Sequence, residues 1–138
     1  MEKIERVWFE DGRIYINTDK GQTLSRPLEA FPTLKDASEK ERYDLHIGRF
    51  GDDIHWNALD EDLHISSFYE TTEPNPDNEV GRLFRKFPQL NVSAIADDIG
   101  IHKSLLDRFI YGMQEPSQQR MQQIREAFHS VGRKLLTA

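Results

Sequence analysis

The residues with the clearest chemical meaning lie near the C-terminal end, in the segment 102–111. Its apolar residues recur at helical spacing, which predicts a helix with one face in a core. The outward face would carry four polar side chains: Lys103, Ser104, Asp107 and Arg108. Lysine and arginine donate hydrogen bonds to guanine O6 and N7, and serine can serve several bases. We therefore predict that Lys103, Ser104 and Arg108 read bases in the major groove of DNA.

A second group of polar side chains would hold the DNA backbone. His102, Tyr111 and Gln114 lie at the two ends of the predicted helix, where a helix that lies in the groove meets phosphates. Three further cations in the same half of the chain are candidates for phosphate contacts: Arg85, Lys86 and Arg120.

The residues before this helix predict how it is positioned. Asn91 can cap a first helix that ends at Gly100, where a left-handed backbone is expected. Ala96 is small enough for two helices to cross closely. A second stop is expected at Gly112, and a long final helix should begin near Ser117.

This half resembles the lambda-repressor and Cro type of helix-turn-helix domain, the XRE-like class. The resemblance covers roughly residues 80–135 and depends on the order and spacing of Ala96, Gly100, Ile101, Leu106, Phe109 and Gly112. It implies five short helices, DNA binding without a cofactor, and a homodimer on a palindromic site. One position departs from the pattern: Val92 stands where the family often has a glutamine that holds a phosphate.

The charge of the chain divides it into two parts. Residues 1–77 contain 18 acidic and 9 basic residues, a net charge of −9, whereas residues 78–138 contain 6 acidic and 9 basic residues, a net charge of +3. Such asymmetry indicates two domains with separate partners. We predict an acidic α+β domain at 1–70, a linker at 71–79 and an all-α domain at 80–138.

The first domain begins with a hairpin over 6–17. Asp11-Gly12 is a strong turn signal between two apolar runs, and a two-residue turn would place Trp8 opposite Tyr15 and Phe9 opposite Ile14. Further strands are expected near three segments: 22–25, 45–50 and 54–56. A helical segment from Pro27, interrupted at Pro32, would cover Trp8 and Tyr15. Otherwise that aromatic pair would form a contact patch.

The first domain also resembles a small bacterial family of unknown function that occurs alone or fused to helix-turn-helix units. The resemblance depends on the hairpin and on the run IHWNALDEDL. It implies a small α+β fold, and the acidic domain would then serve oligomerisation or hold a protein partner.

Other classes of function find little support. Three histidines, His46, His55 and His64, lie near carboxylates, but their spacing matches no compact metal motif. No nucleophile elbow, phosphate loop or HExxH run is present, so we expect no catalytic residue, no cofactor and no metal. The charged N-terminus and the absence of cysteine favour a cytoplasmic protein with no membrane segment.

The sequence therefore predicts a transcriptional regulator that binds DNA and has no enzymatic activity. The alternative is a protein-interaction or antitoxin-like module, in which the helix-turn-helix fold serves docking or oligomerisation.

Overall fold

The computed structural model describes residues 1–138 and has a mixed α+β fold, as the sequence predicts. The chain forms two compact units, Met1–Glu73 (unit 1) and Pro74–Ala138 (unit 2). No helix of the chain is both long and apolar enough to cross a membrane.

Unit 1 opens with an antiparallel three-stranded sheet, sheet A. Its strands follow one another in the order β1 (Ile4–Glu10), β2 (Arg13–Thr18) and β3 (Thr23–Pro27). The predicted hairpin register is confirmed, because Trp8 pairs with Tyr15 and Phe9 pairs with Ile14. Asp11 and Gly12 both adopt positive φ, which matches the right-handed twist of the two strands.

The rest of unit 1 alternates short helices with a second antiparallel sheet. The helices are a 3-10 turn at Leu28–Ala30, α1 (Pro32–Asp36) and α2 (Glu39–Tyr43). Sheet B contains β4 (His46–Ile47), β5 (Asp53–Trp56) and β6 (Glu61–His64), and a 3-10 helix at Ile65–Tyr69 follows it. The strand predicted over 45–50 pairs only at His46 and Ile47, because Gly48 and Gly51 turn the chain back toward β5.

The helical segment after Pro27 does not cover Trp8 and Tyr15, so that alternative was wrong, and a contact patch at this pair stays a prediction. The helical segment after Pro27 packs Leu28 and Leu34 into one core with Ile14 and Ile16. These isoleucines lie on the opposite face of β2 from Tyr15, since side chains alternate along a strand. Trp8 and Tyr15 are instead half-buried outside that core, where their rings stack with centroids 5.4 Å apart.

Unit 2 is entirely helical. It consists of α3 (Glu79–Lys86), α4 (Val92–Ile99), α5 (Lys103–Ile110) and α6 (Gln118–Leu136). The resemblance implied five short helices, whereas unit 2 contains four, and the last of them is a single helix of 19 residues. The core joins all four helices through buried apolar side chains: Val80, Phe84, Ile95, Ala96, Leu106, Phe109, Met121, Ile124 and Ala127.

Candidate nucleic-acid interface

A tight turn fixes the angle between α4 and α5. Gly100 has a φ of +83°, and its amide donates to the carbonyl of Ala96 at 2.9 Å. The amide of Ile101 donates to the same carbonyl at 3.0 Å, so the turn satisfies the carbonyl of Ala96. Ala96 is buried, and Asn91 Oδ1 accepts a hydrogen bond from the amide of Ala94 at 3.0 Å. The predicted cap, crossing residue and stop are confirmed.

The C-terminal end of α5 is held by residues that the sequence assigned to a linker. The amide of Asn75 donates to the carbonyl of Tyr111 at 2.8 Å. Asn78 Nδ2 donates to the carbonyl of Ile110 at 3.1 Å, while its Oδ1 caps α3 through the amide of Gly81. The two bonds to α5 join positions more than 30 residues apart, and only the capping role of Asn78 leaves a local signal in the sequence.

His102 and Ser104 form the N-terminal cap of α5. His102 Nδ1 accepts a hydrogen bond from the amide of Ser104 at 3.1 Å and lies 2.7 Å from Ser104 Oγ. Both predicted DNA contacts therefore stabilise the start of the helix. His102 remains exposed and Ser104 is half-buried.

The outward position predicted for Asp107 was wrong. Its side chain is only 7% exposed, and Lys103 Nζ donates to its Oδ2 at 2.7 Å. The two residues are one helical turn apart, so their side chains lie above one another on the same flank of α5. Lys103 is 40% exposed at its side chain. One predicted base reader is thus bound to a carboxylate of its own helix.

Three of the predicted contact residues share one stripe of α5. Ser104, Arg108 and Tyr111 follow at spacings of four and three, which places them along one side of a helix. All three are half-buried, and Tyr111 is the C-terminal cap residue of α5. Gln114 lies beyond the helix and is exposed. The structure therefore brings Ser104, Arg108 and Tyr111 together on one side of α5. Gln114 follows the end of the helix at Gly112 and is not part of this stripe.

The remaining predicted phosphate contacts lie on other helices. Arg85 and Lys86 form the last turn of α3, where Arg85 Nη1 donates to the carbonyl of Pro76 at 2.7 Å. Lys86 Nζ lies 5.7 Å from the ring centroid of Phe87. Arg120 lies in the first turn of α6, and its Nη1 donates to Gln123 Oε1 at 3.0 Å.

Carboxylates neutralise at least four of the nine basic side chains of unit 2. The pairs are Arg82 with Asp77, Lys103 with Asp107, Arg125 with Glu79, and Arg133 with Glu126. The fork of Arg125 binds Glu79 through two nitrogens, at 2.6 and 2.7 Å, and this pairing lowers the pKa of Glu79. The positive field of the unit is therefore smaller than its count of cations indicates.

Two of the three histidines of unit 1, His46 and His55, meet on sheet B, whereas His64 lies beside Asp52 and Ser66. His55 Nδ1 contacts Asp62, His55 Nε2 lies 3.1 Å from Asp53 Oδ1, and His46 stacks on the His55 ring with centroids 5.1 Å apart. The hydrogen bond that His55 donates to the Asp62 carboxylate raises the pKa of His55. No group of three or more histidine, cysteine or acidic residues is arranged to hold a metal ion.

Comparison with known proteins places unit 1 in a family. Residues 4–73, just over half of the chain, match the family described as "Protein of unknown function (DUF2442)", and the chain belongs to that family. No curated protein matches the chain. Among solved structures, a crystal structure of a protein from Nitrosomonas europaea ATCC 19718, named "Putative DNA Binding Protein NE0471", matches with a TM-score of 0.36 and 12% identity. The match covers 90% of this chain and 84% of that one.

Proposed function

We propose that unit 2 binds double-stranded DNA as a helix-turn-helix domain, with α5 lying in the major groove. The observation that carries this proposal is the stripe of Ser104, Arg108 and Tyr111 on a helix fixed at both ends. The Gly100 turn sets its start, and the bond from Asn75 sets its end. A recognition helix needs such rigid support, because its side chains must meet base edges at fixed positions.

Each side chain of the stripe has a distinct role in this proposal. Arg108 is the main base reader, since a guanidinium can donate two parallel hydrogen bonds to guanine O6 and N7. Ser104 reads a neighbouring base, while Tyr111, His102 and Gln114 hold phosphates. Lys103 contributes after its ammonium leaves Asp107. The protein acts by binding, without catalysis, and regulates transcription.

The proposed assembly on DNA is a homodimer formed through a groove of unit 2. This groove is about 480 Å³ in volume and is lined mainly by apolar residues of the α3 end and α6, among them Leu83, Phe87, Leu90, Phe128 and Leu135. Leu135, which lines the groove, and the adjacent Leu136 are strongly exposed. In a two-fold dimer the same patch of each copy faces its partner, so the exposed leucines of one copy would cover the apolar groove of the other.

The test of DNA binding uses the full chain and Arg108→Ala. The wild type should bind random duplex DNA with an affinity that falls steeply as salt rises, because bound cations release counterions. On a selected site, the variant should lose about 1–3 kcal/mol of binding free energy and tolerate base changes at the position that Arg108 reads. Unchanged binding by the folded variant would remove Arg108 from the interface.

A second candidate function is a protein-interaction or antitoxin-like module. The pairing of at least four cations with carboxylates favours it, since these cations are not available to phosphates without breaking ion pairs. The salt titration separates the two functions. An absence of binding to random duplex DNA at about 50 mM salt would favour the docking module.

A further inference from the structure

Two arginines of unit 1 converge on one carboxylate. Arg13 of β2 donates through Nη1 to Glu73 Oε1 at 2.6 Å and through Nη2 to Oε2 at 3.5 Å. Arg26 of β3 places its Nη1 3.9 Å from Glu73 Oε2. Arg26 faces the same side of sheet A as its partner Ile14, so the two guanidiniums reach Glu73 from opposite faces of the sheet.

Arg26 is a buried cation whose donors are incompletely satisfied. Its side chain is 3% exposed, and its only short hydrogen bond goes from Nη1 to the carbonyl of Glu70, at 2.8 Å. Its Nε is buried and has no partner. Burial lowers the pKa of Arg26, and the charges of Glu70 and Glu73 oppose that change. A buried unsatisfied donor on a charged group is uncommon in proteins and requires a reason.

The surroundings have the form of a small binding site. A cavity of about 480 Å³ lies between β3 and the segment that runs from Phe68 to Glu73, and both arginines line it. Ser25 Oγ accepts a hydrogen bond from Arg13 Nε at 3.1 Å, which orients the guanidinium. The Glu73 side chain is 55% exposed. Because this side chain is open to solvent, an outside anion can compete with the carboxylate for the two guanidiniums.

We propose that Arg13 and Arg26 form a binding site for an oxyanion, a carboxylate or a phosphate group, and that Glu73 occupies this site as an internal ligand. The planar fork of a guanidinium matches either group with two parallel hydrogen bonds. The two arginines are balanced by Glu70 and Glu73, so the site gains a single net positive charge only when Glu73 leaves it. One such charge within an acidic unit favours a single anionic group over an extended polyanion.

Occupation by an outside ligand would have a structural consequence. Glu73 is the last residue of unit 1, and the next residue, Pro74, is the first of unit 2. A bound oxyanion displaces the Glu73 side chain from the two arginines. In this proposal unit 1 senses the ligand through Glu73. This inference concerns unit 1 alone, so it stands or fails independently of DNA binding by unit 2.

The test compares the full-length wild type with Glu73→Gln in calorimetric titrations with inorganic phosphate and with acetate, at constant ionic strength. If Glu73 occupies the site in about nine of ten molecules, its removal should lower the phosphate dissociation constant about tenfold. A response to phosphate alone assigns a phosphate site, and a response to both anions assigns a general oxyanion site.

Two further variants identify the residues responsible. Glu70→Gln makes the same charge change beside Arg26 but keeps the backbone carbonyl that Arg26 uses, so it should not reproduce the tenfold gain. Arg13→Gln in the Glu73→Gln background should abolish the gain. The proposal is overturned if folded Glu73→Gln binds neither anion up to about 20 mM. It is equally overturned if its binding survives the loss of Arg13.

Discussion

The ion pair between the buried Asp107 and the partly exposed Lys103 makes the DNA proposal quantitative. Asp107→Asn keeps the shape of the side chain and removes its charge, so the ion pair between Lys103 and Asp107 is lost. The Lys103 side chain is 40% exposed, and its ammonium can therefore turn into solvent without becoming buried and unpaired. In the proposed complex that ammonium becomes available to one additional phosphate.

The expected effect follows from counterion release. One additional phosphate contact steepens the slope of log affinity against log salt by about 0.9. Between about 200 and 50 mM salt, a fourfold change, the ratio of variant to wild-type affinity should then rise about 3.5-fold, which is four raised to the power 0.9. Fluorescence anisotropy with a labelled random-sequence duplex measures both slopes on the full chain.

Glu126→Gln is the matched control for this measurement. It makes the same change in net charge and breaks an ion pair with Arg133, but it lies on α6 rather than α5. Its slope should remain that of the wild type. An unchanged slope for folded Asp107→Asn would refute the placement of Lys103 at the DNA. An equal increase in both variants would indicate a general charge effect.

Three other changes test separate parts of the structure. Gly100→Ala should lower the free energy of unfolding in urea by about 1–2 kcal/mol, because φ at Gly100 is +83° although a methyl group would meet no neighbour. Gly132→Ala, within α6, should raise it by about 0.5–1 kcal/mol. Equal effects of the two substitutions would contradict this reasoning. Leu135→Glu should convert the proposed dimer to monomers in sedimentation velocity, and a monomeric wild type would exclude that dimer. His55, whose pKa the contact with Asp62 raises, should stabilise unit 1 fully below the unfolded pKa and lose that contribution as pH rises through its folded pKa. The thermal midpoint of Asp62→Asn should therefore depend less on pH than that of the wild type, and parallel profiles would contradict this.

The elements that could be predicted are those specified by neighbouring residues. The Asp11-Gly12 turn and the alternation on both sides of it determine the register of β1 and β2 without reference to the rest of the chain. The Asn91 cap and the Gly100 stop define α4 in the same way. Strand β6 was missed because its sequence, EDLH, contains only one strongly apolar residue and pairs at the edge of sheet B.

The position of Asp107 shows why burial is harder to predict than helical spacing. The i, i+4 spacing to Lys103 is visible in the sequence and usually indicates an exposed ion pair. Whether such a pair lies in solvent depends on the elements packed against that flank of the helix. Its angle around α5 places Asp107 beside the outward stripe, but its side chain is buried. The spacing predicts the ion pair, but only the packing of the other elements determines that its carboxylate is buried.

The arginine site of unit 1 depends entirely on contacts that sequence spacing does not encode. Arg13 and Glu73 are 60 positions apart, and Glu73 lies in a polar, proline-containing run that reads as linker. Arg26 would ordinarily point outward from an edge strand, yet it faces Ile14 in the register and is buried. A cation is retained in such a position at a cost, since burial disfavours its charge. A bound anion reduces that cost, and the exposed carboxylate of Glu73 meets Arg26 only at 3.9 Å. A ligand that binds Arg26 more closely than Glu73 does would reduce the cost further, and this is the advantage that the proposed oxyanion has over the internal carboxylate.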